Sequence, residues 1–218
     1  MKDSDIHEVM AILRESVKAW QPALVDGMGK EERNPYKVLI ATILSLRTKD
    51  TLTAQIAPKL FAVADTPAAM VRHSAEEIAE IIYPVGFYRN KGKSIIDISQ
   101  QLIDEYDSKV PDDLDELLKL PGVGRKTANL VLTAGFNKPG ICVDIHVHRI
   151  SNRWGYVHTK TAEQTEFALR EKLPQAYWME YNGLLVSMGQ TICHPTSPWC
   201  SKCPLVQFCD RVGVRRSR

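Results

Sequence analysis

Hydrophobic residues recur along most of this chain at intervals of three and four, the spacing that puts them on one face of an α-helix. Leu39, Ile40, Ile43, Leu44 and Leu46 make an apolar surface so broad that a largely buried helix is predicted there. Ile95, Ile96, Ile98 and Leu102 predict another, ending near Tyr106, and Leu114, Leu117 and Leu118 a short one that stops before Pro121. Boundary signals agree with the periodicity. Ser74 with Glu77 and Thr161 with Gln164 fit capping boxes, and Thr66-Pro67 fits an N-cap followed by proline at the first helical position. Only residues 141–147 alternate with period two, too short a stretch to establish a sheet. The predicted fold class is all-α, with no internal repeat, low-complexity tract or long linker.

Composition narrows the picture modestly. The 218 residues suffice for one large domain or two small ones, and 44% hydrophobic with 25% charged residues excludes a disordered chain. A net charge of +2 says little about partners, but its distribution says more. Between residues 117 and 160 stand seven Lys or Arg against a single acid, Asp144, and Arg211, Arg215, Arg216 and Arg218 crowd the C-terminal end. Such a stretch is either a phosphate-binding face or simply a solvated basic surface. The N-terminal residues are polar and no run approaches the ~20 apolar residues of a membrane-spanning helix, so an intracellular protein with no membrane partner is expected.

That expectation bears on the cysteines. Cys193, Cys200, Cys203 and Cys209 follow the spacing C-x6-C-x2-C-x5-C, and in a reducing compartment such density favours metal ligation over disulfides. Thiolate softness alone allows zinc or an iron–sulfur centre. Cys142 lies outside the spacing and reads as a buried core thiol.

The segment from Leu120 to Thr127 (LPGVGRKT) lies between two helical patterns. Pro121 ends the first, and Gly122 and Gly124 permit backbone conformations closed to other residues. The second helix is predicted to begin near Arg125 and to run through Ala128, Leu130, Val131 and Leu132. Backbone N–H groups of Gly122, Val123, Gly124 and Arg125 beside a positive helix end would suit a phosphate and read no base sequence. As residues alone, the segment is equally a plain helix–helix turn. It is not a nucleotide-binding loop, because Arg125 separates Gly124 from Lys126 and Lys119 stands where the first glycine should be. Nor is it a dinucleotide fingerprint, which needs a third glycine at Thr127. Gly92-Lys93-Ser94 fails as well, since Gly86 is one residue too far upstream.

Residues 120–132 (LPGVGRKTANLVL) closely resemble the helix-hairpin-helix of the endonuclease III family of DNA glycosylases. The resemblance continues through Val143-Asp144-Ile145-His146-Val147-His148-Arg149 and the cysteine cluster, and extends loosely from about Tyr36 to Cys209. It implies that Lys126 is the nucleophile, attacking the sugar C1′ of a damaged nucleotide, expelling the base and leaving a Schiff base that undergoes β-elimination. Lysine suits this work because its imine is an electron sink. An amine with pKa ~10.4 is neutral only about once in a few thousand at pH 7. A helix N-terminus recovers at most ~1.5 pKa units, so most of the activation must come from desolvation, and Lys126 is expected in a crevice shielded once DNA is bound. Asp144 matches the family's essential aspartate, positioned to stabilise positive charge developing as the base departs. It also fits an N-cap for a helix beginning near Ile145. No catalytic role is expected of His146 or His148.

By the same resemblance the four cysteines hold a [4Fe–4S] cluster that organises a 17-residue loop without performing the glycosylase chemistry, and Lys202 and Arg211 meet the DNA backbone. Phe87 falls where relatives carry an apolar wedge, and Arg47 where many carry a glutamine that fills the hole left by the extruded nucleotide. Arginine there is a departure, able to fill the space and hydrogen-bond to an orphan base, guanine in particular. Phe87 alone would also pass for an ordinary core residue. The implied architecture is two helical lobes with DNA and the pocket between them: 28–138, and 1–27 joined to 139–218. The implied activity is that of a monomeric bifunctional glycosylase and apurinic/apyrimidinic lyase for oxidised pyrimidines, binding double-stranded DNA that contains damaged bases or abasic sites. A monofunctional mismatch enzyme such as the related adenine glycosylase is less fitting, since such relatives generally lack this lysine and the adenine enzyme carries a further C-terminal domain. A non-catalytic, metal-stabilised DNA-binding module would need neither Lys126 nor Asp144.

Overall fold

The structure, a computed structural model, describes residues 1–20 and 34–218. Among these there is no strand, and eleven α-helices are joined by turns and short 3₁₀ segments, so the chain is all-α. Residues 141–143 form no sheet, and the chain turns straight into the helix capped by Asp144. No helix among the described residues is long and apolar enough to cross a membrane. The chain divides into two compact units, Gly29–Lys138 and Met1–Met28 with Pro139–Arg218. The boundary expected near residue 28 lies outside the described residues.

The Gly29–Lys138 unit is built on α2 (Pro35–Ser45). Asn34 caps it by accepting from the N–H groups of Tyr36 and Lys37, and Leu39, Ile40, Ile43 and Leu44 are all buried. Around it pack α3 (Asp50–Val63), α4 (Pro67–Met70), α5 (Ala75–Ile82), α6 (Tyr88–Tyr106), α7 (Leu114–Leu117) and α8 (Arg125–Leu130). The Ser74–Glu77 capping box is present at α5 in both its bonds, and Thr66 caps α4 ahead of Pro67. Gly92 is a packing glycine within α6. A Cβ there would stand 2.5 Å from Ala75 O, so the residue lets α5 and α6 approach, which explains why Gly92-Lys93-Ser94 is no phosphate loop.

The second hairpin helix departs from the sequence expectation. It is α-helical only to Leu130 and continues as a π-helical turn, Val131–Gly135. Gly135 gives the physical reason for the tight fit at this point: its Cβ would lie 3.1 Å from Pro35 Cα, against the start of α2.

The other unit gathers α1 (Ile6–Ala19), α9 (Ile145–Arg153), α10 (Ala162–Lys172) and α11 (Trp178–Thr191) around a core that includes Met10, Leu13, Val147, Ile150, Trp154 and Tyr181. Thr161 caps α10 by accepting from Gln164 N–H, but Gln164 Oε1 accepts from Lys160 N–H instead of Thr161, so the predicted box closes one residue further back.

Candidate active site and nucleic-acid interface

In the Gly29–Lys138 unit the turn between α7 and α8 carries the hairpin motif. Val123 N–H closes it on Leu120 O at 3.1 Å, and both side chains are buried. The two glycines, expected to act alike, do not. Gly122 has φ +76°, a left-handed conformation that disfavours any side chain. Gly124 is extended (φ −96°, ψ 175°) and caps α8; a Cβ built there would meet nothing within 4 Å. No neighbouring atom therefore requires glycine at 124. Arg125 is half-buried at the first position of α8, and Lys126, the second, is exposed. Thr127, Ala128 and Asn129 beneath it are buried. Lys126 lies open to solvent here, and the shielding expected of it belongs to the DNA-bound protein.

Arg47 and Phe87 lie on neighbouring loops of the same unit. Arg47 follows the end of α2, Phe87 precedes α6, and their backbones are left-handed at φ 53° and 58°. Phe87 is 59% exposed, which overturns the core-packing alternative. The Arg47 guanidinium carbon stands 5.5 Å from the centre of the Phe87 ring, a cation–π pair on the surface. Thr48 Oγ1 accepts from Gly86 N–H at 3.2 Å, and a Cβ on Gly86 would come within 2.7 Å of Arg47 O, so the loops are held in close register.

Sequence reasoning missed Lys91, the residue beneath these loops. Its ammonium donates to Leu44 O (2.8 Å), Leu46 O (2.6 Å) and Thr48 Oγ1 (2.9 Å). Burial pushes this amine down to about 8. The signal was present: positions 91, 95, 98 and 102 form one helical stripe, and the first of them is charged.

In the other unit Asp144 is the N-cap of α9, its Oδ1 accepting from His146 N–H at 2.8 Å and Val147 N–H at 2.9 Å. The carboxylate is half-buried. Further along α9, Arg149 donates to Cys193 O at 2.9 Å, and Arg153 donates to His194 O, to Pro195 O and to Cys193 Sγ (3.3 Å). His148 Nδ1 is bonded to Thr165 Oγ1 at 2.6 Å, a structural contact.

Cys193, Cys200, Cys203 and Cys209 line one small cleft, walled by apolar residues such as Trp154, Met188 and Ile192. Among the described residues no three His, Cys, Asp or Glu side chains converge closely enough to hold a single ion. Burial pushes the Cys203 thiol up to about 11 and raises that of Cys209. Arg211 N–H donates to Cys209 Sγ at 3.4 Å, and with the Arg153 contact this gives the sulfurs donors of the kind thiolate ligands accept. Four thiols lining one cleft are a soft donor set that suits a zinc or iron–sulfur centre. Cys142 is buried, away from this set of four. Exposed Lys202 stacks its ammonium 4.8 Å from the ring centre of Trp199.

These features define a class. Residues 40–175 match the family model described as "HhH-GPD superfamily base excision DNA repair protein". The chain is 48% identical over 180 residues to Endonuclease III of Thermotoga maritima, covering 83% of this chain and 84% of that one. Its fold superimposes on the "Structure of a non-covalent Endonuclease III-DNA Complex" with TM-score 0.85 and 33% identity, covering 97% and 96% of the two chains. A second match, "Structure of a Trapped Endonuclease III-DNA Covalent Intermediate: Estranged-Adenine Complex", gives TM-score 0.82 and 34% identity, with 97% of each chain covered. The chain belongs to the endonuclease III family.

Proposed function

We propose that this protein is a bifunctional DNA glycosylase and apurinic/apyrimidinic lyase that removes oxidised pyrimidines from double-stranded DNA. The observation that carries this reading is the head of α8: an exposed lysine two residues after a glycine whose missing side chain serves no internal contact. A glycine kept bare on an ordinary backbone conformation makes sense where a ligand's backbone comes close, and phosphate at the head of a helix is such a ligand. The similarity to a trapped covalent protein–DNA intermediate supports the same chemistry.

In this reading the neutral amine of Lys126 attacks C1′ as the base departs. Opening of the sugar's C1′–O4′ bond then gives the imine, which takes up the electrons of the C2′–H bond once that proton is removed, and the C3′–O bond breaks, releasing the phosphate and cutting the strand on the 3′ side. DNA packed over the exposed side chain excludes water and so lowers the amine's affinity for its proton. Asp144 supplies negative charge to the sugar as positive charge develops there, while Oδ1 remains committed to the helix cap. Extruding the nucleotide costs a few kcal/mol of stacking and pairing, which Phe87 and Arg47 offset by occupying the gap. Gly122, Gly124, Arg125 and Lys202 bind phosphates without reading sequence, whereas Val123, expected to join them, spends its N–H on Leu120 O inside the turn.

The four cysteines would hold a [4Fe–4S] cluster, which when bound ties a loop of little apolar content to α9. Arg149 and Arg153 secure that loop through its carbonyls. The partner is intracellular duplex DNA carrying damaged bases or abasic sites, and the enzyme acts as a monomer. The test is product analysis on a duplex carrying one thymine glycol. Release of the free base together with a 3′ unsaturated aldehyde end supports the reading; base release with an intact strand would leave a monofunctional glycosylase in its place.

A further inference from the structure

Lys91 is 6% exposed, and it heads a helical stripe whose other members, Ile95, Ile98 and Leu102, are fully buried. An ammonium has three N–H groups, and all three here find acceptors. Two are carbonyls at the C-terminal end of α2, where unpaired backbone oxygens and the helix dipole supply partial negative charge. Among the described residues no carboxylate pairs with it. A buried cation without a counter-ion is expensive, and this one touches neither a hairpin amide nor a candidate catalytic group.

Its contacts converge instead on one loop, residues 46–48, and through Thr48 on a second. Thr48 Oγ1 accepts from Lys91 Nζ and from Gly86 N–H together. The bonds bracket Arg47 on both sides and reach the residue before Phe87. Arg47 and Phe87 both hold left-handed backbones, which non-glycine residues keep only where the surroundings impose them.

We propose that Lys91 is a positioning residue whose buried ammonium locks the Arg47 and Phe87 loops into one preassembled wedge, ready to fill the duplex when the damaged nucleotide leaves. The inference rests on the reading that Arg47 and Phe87 occupy that gap. Preassembly matters because loops that must order themselves at the moment of extrusion add their ordering cost to that of unstacking.

The test compares wild type, Lys91→Met and Thr48→Val, each as full-length, metal-loaded protein. Lys91→Met deletes the donors while keeping an apolar stem. Thr48→Val removes the shared acceptor without stranding a charge, so the test survives if the first variant does not fold. Base release is measured in single turnovers on thymine glycol paired with adenine and on thymine glycol opposite a mismatch. Extrusion is followed by a fluorescent adenine analogue beside the lesion. With the paired lesion, a misplaced wedge should slow Lys91→Met by ~10–100-fold, with loss of the fluorescence rise. Opposite a mismatch, where extrusion costs less, the deficit should shrink to within about threefold. In a Phe87→Ala background the same substitution should change the rate by no more than about twofold, since the two act as one unit.

A paired-lesion rate within about twofold of wild type in both variants overturns the proposal. So does an equal loss on paired and mismatched lesions, the mark of a merely structural role, or full multiplication with Phe87→Ala. If wild type itself shows neither base release nor a fluorescence rise, the glycosylase reading fails and the wedge with it.

Discussion

The two hairpin glycines offer a paired experiment in which fold and ligand give opposite answers. Gly122 sits at φ +76°, and an added Cβ would meet only Ser94 Oγ, at 3.8 Å. The cost of Gly122→Ala is therefore almost purely conformational, about 1–2 kcal/mol for an L-residue held left-handed. For a chain of this length that corresponds to roughly 2–8 °C in Tm. Gly124 has an ordinary φ of −96° and open space where its Cβ would stand. Gly124→Ala should stay within about 1 kcal/mol of wild type, because alanine restricts the unfolded chain but is a poorer N-cap than glycine for α8. If the Gly124 amide is a phosphate contact, the added methyl should still weaken DNA binding by about tenfold, the value of one charge-assisted hydrogen bond of ~1.5 kcal/mol. Thermal unfolding by circular dichroism reads the first quantity. Fluorescence anisotropy on a duplex with a stable abasic analogue, at fixed salt, reads the second. Wild-type affinity in Gly124→Ala would refute the argument that the bare position exists for DNA, and a wild-type Tm in Gly122→Ala would refute the strain argument.

Asp144→Asn keeps an acceptor for the N–H groups of His146 and Val147 but removes the charge, so activity should fall by ~10²–10³ with little change in Tm. Asp144→Ala should lose as much activity and also ~1–2 kcal/mol of stability, both read by single-turnover kinetics and thermal unfolding. Cys203→Ser should lose iron and sulfide by chemical analysis and open residues 193–209 to limited proteolysis; full retention of both would contradict the cluster. Lys91 titrates near 8 in the folded protein against an ordinary 10.5. Between those values the unfolded chain binds the extra proton, so the cost of burying the charge, fully present below 8, is relieved as pH rises. Wild-type stability relative to Lys91→Met should climb through that window by at most ~3 kcal/mol in denaturant titrations.

What was legible in the chain was what neighbouring residues decide among themselves. The Ser74–Glu77 box, the Thr66-Pro67 start and the Asp144 cap each need three or four consecutive residues, and each is present. At Thr161 the same logic half failed, because Lys160 N–H is an equally near donor for Gln164. The π-helical turn after Leu130 was hidden, since its tight fit lies against Pro35, far away in sequence. The two glycines looked alike because a backbone angle cannot be read from a residue that allows all of them. Lys91 was passed over for a related reason: its acceptors lie 43 to 47 residues upstream, and a lysine in an apolar stripe is more often one that reaches out to water. The exposure of Phe87 could not be told from its type, because an aromatic residue serves a core and a wedge equally well.

The central claim is that the Lys126 amine forms a covalent bond to deoxyribose, and borohydride reduction during turnover reads it directly. Wild type with duplex carrying thymine glycol should give a stable protein–DNA adduct whose peptide map assigns the link to Lys126, and Lys126→Ala, folded and still binding DNA, should give none. An adduct of undiminished yield in Lys126→Ala, or one mapped to another amine in wild type, would contradict the account.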